Sequence, residues 1–176
     1  MLIPFDSLPV SFIRGIIHIG AHEAEELNDY VRRGKNNVLW VEASPEKWDR
    51  ITQLIAPYPH MLLGKFAAAA SSGLTGVLHV ASNPQSSSLL PLGTHADSYP
   101  DIKYVSNVQV KLQMVDDWLD DLKIDRSQFN FVNLDIQGYE INALRGMSRQ
   151  LLDVDFVYVE VNFREVYVGC SNINAP

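Results

Sequence analysis

One stretch constrains this chain more than any other: Phe131-Val132-Asn133-Leu134-Asp135-Ile136-Gln137-Gly138-Tyr139-Glu140-Ile141-Asn142-Ala143-Leu144-Arg145-Gly146. An apolar run delivers an acid at its end and turns at once into a helical pattern, which places that acid where an open α/β sheet binds its ligands. Two further runs of the same kind, Ile16-Ile17-His18-Ile19-Gly20 and Val38-Leu39-Trp40-Val41-Glu42, lie near the N-terminus with one helical pattern between them. Three strands ending in polar residues at one sheet edge predict a ligand site there.

The rest of the chain fills in around these strands. Residues 15–20 read as a buried strand, and residues 23–33 as a helix carrying Leu27, Tyr30 and Val31 on one face. Glu25 and Glu26 then fall in its first turn and Arg32 and Arg33 in its last, an order that suits the helix dipole, with Gly34 as the stop. Ser44-Pro45 opens a second helix whose apolar face is Trp48, Ile51, Leu54 and Ile55. Residues 61–70 read as a third strand running into Ala67-Ala68-Ala69-Ala70, and residues 75–81 and 108–114 as flanking strands. Between those two lies residues 82–107, a connection long enough to be functional or mobile. Residues 115–122 read as a short helix whose carboxylates form a solvated face, residues 139–152 as a helix and residues 156–161 as the last strand. Strands alternating with helices over short connections pair in parallel through right-handed crossovers. The predicted fold class is α/β, a Rossmann-like doubly wound, mostly parallel sheet in a single domain over 1–176, with an arm over 1–14 and a tail over 167–176.

A chain of 176 residues can bury roughly 70% of its unfolded surface as one domain. Its net charge of −7 and pI near 5.1 speak against a nucleic-acid or anionic-membrane surface, where Lys and Arg neutralise phosphate. Cys170 is the single cysteine, so an intramolecular disulfide is excluded and a reducing, cytoplasmic setting is expected. No run approaches the ~18 apolar residues of a membrane span, and one helix face of carboxylates does not converge on a metal.

Gly20 stands where the first strand meets its helix, and a missing Cβ there admits a ligand to the backbone. Glu42, an acid at the end of the adjacent strand about 20 residues on, is the arrangement that hydrogen-bonds ribose hydroxyls; capping of the helix at Pro45 is its plainer role. Gly20-Ala21-His22-Glu23-Ala24-Glu25 has one glycine and two acids, unlike the glycine-rich turn that a pyrophosphate needs, which disfavours a nicotinamide cofactor. A nucleoside cofactor with an ammonium and no phosphate, such as S-adenosylmethionine, suits that turn better. Small residues around Ala68 either admit a flat ring or serve close packing. Asp135 and Glu160, at the same carboxyl edge, are the candidate bases; Asp135 is the favoured one, with capping of the helix at Tyr139 as its plainer role.

With these pieces in order, the sequence resembles the FkbM family of S-adenosylmethionine-dependent methyltransferases. The resemblance rests on His18-Ile19-Gly20-Ala21-His22, Trp40-Val41-Glu42-Ala43-Ser44-Pro45, Ser86-Ser87-Ser88-Leu89, Val115-Asp116-Asp117-Trp118-Leu119, the stretch from Asn133 to Glu140 with Leu144 and Gly146, and Tyr158-Val159-Glu160-Val161. It implies methyl transfer to oxygen, often on a sugar or natural-product hydroxyl. It also implies that Gly20 and Ala21 approach the methionine end of the cofactor, Glu42 the ribose, residues near Ala68 the adenine, and Asp135 the reacting end; His18, His22, Ala43 and Ser88 fall in the same motifs as cofactor contacts. Three positions depart from the pattern: His18 stands where the family usually has Asp, Ala24 where it often has Gly, and Asn133 where it commonly has Lys. Without that Lys, Asp135 is expected to be less stabilised as an anion. His18 is either a cofactor contact or a core histidine.

The resemblance further implies a helix and closing strands after residue 161, for which the residues after Val166 are too few. The last strand is therefore expected to be an exposed apolar edge, suited to a homodimer. The leading expectation is an O-methyltransferase acting on a small-molecule or glycan acceptor; the rival is a binding module of the same fold with impaired turnover.

Overall fold

The computed structural model describes residues 10–94 and 100–170. In chain order it contains β1 (Ile16–Ile19), α1 (Leu27–Arg32), β2 (Val38–Glu42), α2 (Pro45–Ile55), β3 (Met61–Lys65), β4 (Ala67–Ala68), β5 (Leu74–Ala81), β6 (Tyr104–Gln113), α3 (Val115–Asp121), β7 (Phe131–Leu134), α4 (Glu140–Arg145) and β8 (Phe156–Val159). The main sheet runs β3-β2-β1-β7-β8 with every pairing parallel. Every residue of β1, β2 and β7 is buried, which is why these strands read as continuous apolar runs rather than alternating ones. Alternate residues feed two cores: Ile17, Ile19, Leu39, Val41, Val132 and Leu134 pack with α3, while Ile16, Val38, Trp40 and Phe131 pack with Tyr30 and Ile51. The chain winds outward from β1 to β3 and then returns to place β7 on the other side of β1. That reversal opens a crevice at the carboxyl ends of β1 and β7.

A second sheet, in order β4-β6-β5, pairs β5 and β6 as an antiparallel hairpin. The predicted strand over 61–70 is thus two: Phe66, 2% exposed, turns the chain between sheets, so Met61–Lys65 pairs with β2 and Ala67–Ala68 with β6. The hairpin also shortens the predicted 82–107 connection, since β6 starts at Tyr104 and Ser88 bridges back to His79. Residues 95–99 within it lie outside the described residues.

Other expectations are corrected by the local backbone. The first helix starts at Leu27 because His22 and Ala24 adopt φ of 47° and 57°, which no right-handed helix contains. Glu25 and Glu26 therefore lie in turns before it. Leu54 faces outward at 36% exposure rather than joining the apolar face of α2. The helix predicted over 139–152 ends at Arg145; fully buried Asp116 then accepts hydrogen bonds from the amides of Arg149 and Gln150 at 2.8 and 2.9 Å, drawing the chain into a short 3-10 turn. Asp116 is thus a buried cap and not part of a solvated face.

Of the short tail expected over 167–176, residues 167–170 fold back into the domain, while 171–176, like residues 1–9 of the expected arm, lie outside the described residues. Tyr167, 1% exposed, bridges Leu92, and the amides of Gly93 and Val168 donate to Val166 and Pro91 carbonyls, both at 2.9 Å. β8 is the outer strand of the main sheet among the described residues, and Val157, Val161 and Phe163 beside it are 45%, 52% and 74% exposed. No helix among the described residues is long and apolar enough to cross a membrane.

Candidate active site

A cavity of about 900 Å³ opens at the carboxyl ends of β1, β2 and β7, at the upper end of the range that holds small-molecule ligands. Its floor is Gly20. This residue has φ +91°, and a Cβ built on it would stand 1.9 Å from the Asp135 carbonyl oxygen, so the β1 and β7 turns can close only around a glycine.

Glu42 is 8% exposed, and both its carboxylate oxygens are taken by backbone: Oε2 accepts from the His22 amide and Oε1 from the Ser44 amide, each at 2.7 Å. Burial pushes its carboxyl above the usual range, while those two amide bonds pull the other way. Each oxygen keeps a second lone pair for a ligand hydroxyl. Ser44 occupies the N-cap of α2 without a side-chain cap bond, and its own amide is satisfied by the Glu42 carboxylate.

His22 Nδ1 lies 2.6 Å from Glu25 Oε1, and its Nε2 is buried with no hydrogen-bond partner. The positive φ at Ala24 belongs to the same turn; the resemblance pointed to glycine there, and the backbone adopts the conformation that glycine favours. Ala43 and Ala68 line the cavity beside Phe66 and Leu78, giving a small-residue, apolar flank next to Glu42.

Ala21 is 1% exposed and sits in the core with Leu27 and Tyr30, outside the lining of the cavity. Its amide, like that of Gly20, donates to the Val41 carbonyl. His18 touches the cavity but is 2% exposed and engaged below it. Its Nδ1 is 3.1 Å from the Tyr30 hydroxyl, its ring stacks on Trp40 with centroids 4.8 Å apart, and Asn133 Nδ2 donates to the same hydroxyl at 3.0 Å. His18 and Asn133 are register partners across β1 and β7, so two of the departures from the family pattern occupy one place. Burial holds the His18 pKa down to about 4, outweighing the charge of Glu25, and the ring is neutral at pH 7.

Asp135 is exposed at the end of β7, where Gln137 Nε2 donates to its Oδ1 at 2.7 Å. Sequence reasoning missed Gln137. With φ +54° it ties three segments together: its side-chain oxygen accepts from the Tyr167 hydroxyl and its carbonyl from Ser88 Oγ, both at 2.7 Å. Ser88, 1% exposed, thereby anchors the hairpin connection to the β7 turn. Gly138 follows with φ +97°, and a Cβ there would meet Cys170 Cβ at 2.9 Å and Tyr167 Cδ2 at 3.0 Å. Glu160 lines the same side; burial first, then the charge of Asp135, pushes its carboxyl up. Tyr158, from the Tyr158-Val159-Glu160-Val161 motif, and Tyr167, which carried no local sequence signal, also line the cavity. Glu140, which caps the turn, accepts from the amides of Gly138 and Ile136 at 3.0 and 3.3 Å, so the capping role falls to Glu140 rather than Asp135. Among the described residues no group of three His, Cys, Asp or Glu is arranged to hold a metal ion.

A family model described as the methyltransferase FkbM domain matches residues 18–174. The chain belongs to the FkbM methyltransferase family. Among curated proteins, it is 21% identical to the 2-O-methyltransferase NoeI of Sinorhizobium fredii over 162 residues, covering 88% of this chain and 65% of that one. It is 26% identical to the hexuronic acid methyltransferase AglP of Haloferax volcanii over 129 residues, covering 73% of this chain and 48% of that one. The chain thus spans between about half and two thirds of the relatives it matches. No solved structure matches it. The FkbM match starts at His18 and takes in the Gly20 turn, Glu42, Ser88, Asp135 and the folded-back Tyr167 segment.

Proposed function

We propose that this FkbM domain transfers a methyl group from S-adenosylmethionine to a hydroxyl of a glycan or related small molecule. The observation that carries the reading is the pairing of two acids on either side of Gly20. Glu42 is buried and fixed by two backbone amides, and Asp135 is exposed and held by one side chain. Glu42 suits a ribose diol, and the apolar flank of Ala43, Ala68, Phe66 and Leu78 suits a flat ring beside it. The surrounding carboxylates suit a cofactor with cationic groups and no phosphate, and the residues present therefore fit S-adenosylmethionine. When bound, that group supplies an electrophilic methyl on sulfonium sulfur. Asp135 takes the proton of the acceptor hydroxyl, a contribution worth about 10²–10⁴-fold in rate, and the enclosing walls hold the hydroxyl in place, where orientation supplies roughly 7–11 kcal/mol. Transfer to oxygen is supported by NoeI, named a 2-O-methyltransferase, and a sugar acceptor by AglP, named a hexuronic acid methyltransferase.

Nothing favours the impaired module. The changed His18 and Asn133 form one bonded buried cluster with Tyr30, and the segment around Tyr167 is packed into the domain. Asp135→Asn tests the reading: methyl transfer is expected to fall at least ~10²-fold while affinity for S-adenosylhomocysteine stays within a few-fold of the parent. Undiminished transfer removes Asp135 as the base.

A further inference from the structure

The charged side chains that line the cavity are mostly carboxylates. Glu25, Glu26 and Asp29 stand on the α1 side, Asp135 and Glu160 on the β7–β8 side, and an ionised carboxylate can only accept. Two of the five are matched locally: Asp29 pairs with Arg32 and Arg33, and Glu25 with His22. Glu26, Asp135 and Glu160 remain, and Glu26 and Glu160 each feel the charge of Asp135. Burial first, and then neighbouring charges that include Asp135, push the carboxyls of both Glu26 and Glu160 upward.

Positive charge is scarce where an anion would need it. All 14 Lys and Arg fall within the described residues, yet the one among them that lines the cavity is Lys47. Its ammonium is held 3.2 Å from Glu23 Oε1 and 3.9 Å from Glu46 Oε1, on the Glu42 side of the cavity. A carboxylate, sulfate or phosphate on an acceptor is ordinarily met by Arg or Lys donors. Here it would meet carboxylates, and like-charge juxtaposition is strongly unfavourable. Tyr139 and Tyr158 line the same region, adding rings that can cover an apolar sugar face.

We propose that the acceptor is an uncharged or amino-bearing sugar, rich in hydroxyl or ammonium donors, and that sugars carrying carboxylate, sulfate or phosphate are rejected by the carboxylates of this cavity. The inference rests on the methyl-transfer reading above and narrows it. It also separates this chain from its relative AglP, whose name specifies hexuronic acid.

The test uses the full chain, S-adenosylmethionine labelled in the methyl group, and methyl glycosides of several hexose configurations. Each configuration is supplied as the neutral sugar, the 6-uronic acid and the 2-amino sugar. Label is expected in at least one neutral or amino glycoside, at a rate at least about 100-fold above its uronic counterpart. In Glu26→Gln, and separately in Glu160→Gln, that ratio is expected to narrow roughly tenfold, the size of one removed repulsive charge at a few ångströms in a partly wet site. Uronic acids methylated as well as or better than neutral sugars overturn the proposal, as does an unchanged ratio in both variants. Label in none of the glycosides also overturns it, provided S-adenosylhomocysteine binds by calorimetry; failure of that binding instead overturns the methyl-transfer reading beneath it.

Discussion

The two walls of the cavity are built by different means. On the β1–β2 side, position is set by backbone: Gly20 admits no side chain, and Glu42 is clamped by the amides of His22 and Ser44. On the β7–β8 side, position is set by side chains: Asp135 leans on Gln137, which is held by Tyr167, while Ser88 ties the hairpin connection to the Gln137 carbonyl. A backbone-built wall changes little when a ligand arrives, which suits recognition of a cofactor common to many acceptors. A wall held by three side-chain bonds can be retuned by single substitutions without disturbing the sheet, which suits an acceptor side.

That contrast can be broken most severely at Gly20. Gly20→Ala forces a Cβ to within 1.9 Å of a backbone oxygen at φ +91°, and stability is expected to fall by more than about 4 kcal/mol, read as loss of the folded baseline in denaturant. A folded, modestly destabilised variant would show that the β1 wall is softer than described.

Next comes the buried histidine beneath the same wall. Its pKa in the folded chain, about 4, lies below the unfolded value of 6.5. A depressed group contributes stability that is fully present above the unfolded pKa and is lost as pH falls toward the folded one. His18 should therefore cost the protein about 3 kcal/mol of stability between pH 6.5 and pH 4. In His18→Gln the acid slope is expected to flatten across that window, measured by urea unfolding at each pH; an unchanged slope assigns the loss to other groups.

On the side-chain-built wall the effects are expected to be smaller. Ser88→Ala removes the hydrogen bond donated to the Gln137 carbonyl and the one accepted from the Leu90 amide at 3.0 Å, costing about 2 kcal/mol of stability. Although the resemblance implied a cofactor contact for Ser88, the affinity for S-adenosylhomocysteine is expected to stay unchanged within error, because Ser88 is bonded on the Gln137 side and not to Gly20 or Glu42. Thermal unfolding and calorimetry together check both halves; loss of cofactor affinity would join the two walls into one unit.

The sequence disclosed these walls unequally, for a physical reason. The central strands and the placement of Gly20, Glu42 and Asp135 at one cavity were legible because strands buried on both faces leave uninterrupted apolar runs, and because strand ends in such sheets carry ligands. The left-handed turn at His22 and Ala24 left no such mark, and it moved the start of α1 by four residues from the predicted position at residue 23 to Leu27. Phe66 broke one apolar run between two sheets, a decision made by what packs around it and not by local preference. The role of Gln137 was hidden because two of its partners, Ser88 and Tyr167, lie 49 and 30 residues away. The apolar character of Ala21 and His18's place in a strand were visible, but only packing shows that one lies in the core and the other is bonded to Tyr30.

The central claim is that the fixed acid at the end of β2 holds the ribose of S-adenosylmethionine. Titrating S-adenosylhomocysteine into the parent chain and into Glu42→Ala by calorimetry tests it most directly. Loss of a charged acceptor for ribose hydroxyls is expected to weaken binding about 10²-fold, corresponding to roughly 2–3 kcal/mol, in a variant whose folded state is verified by circular dichroism. Burial also raises the Glu42 carboxyl above the usual range, so parent affinity should begin to fall at a higher pH than an ordinary glutamate would dictate. An equal dissociation constant in the folded Glu42→Ala variant would contradict the account.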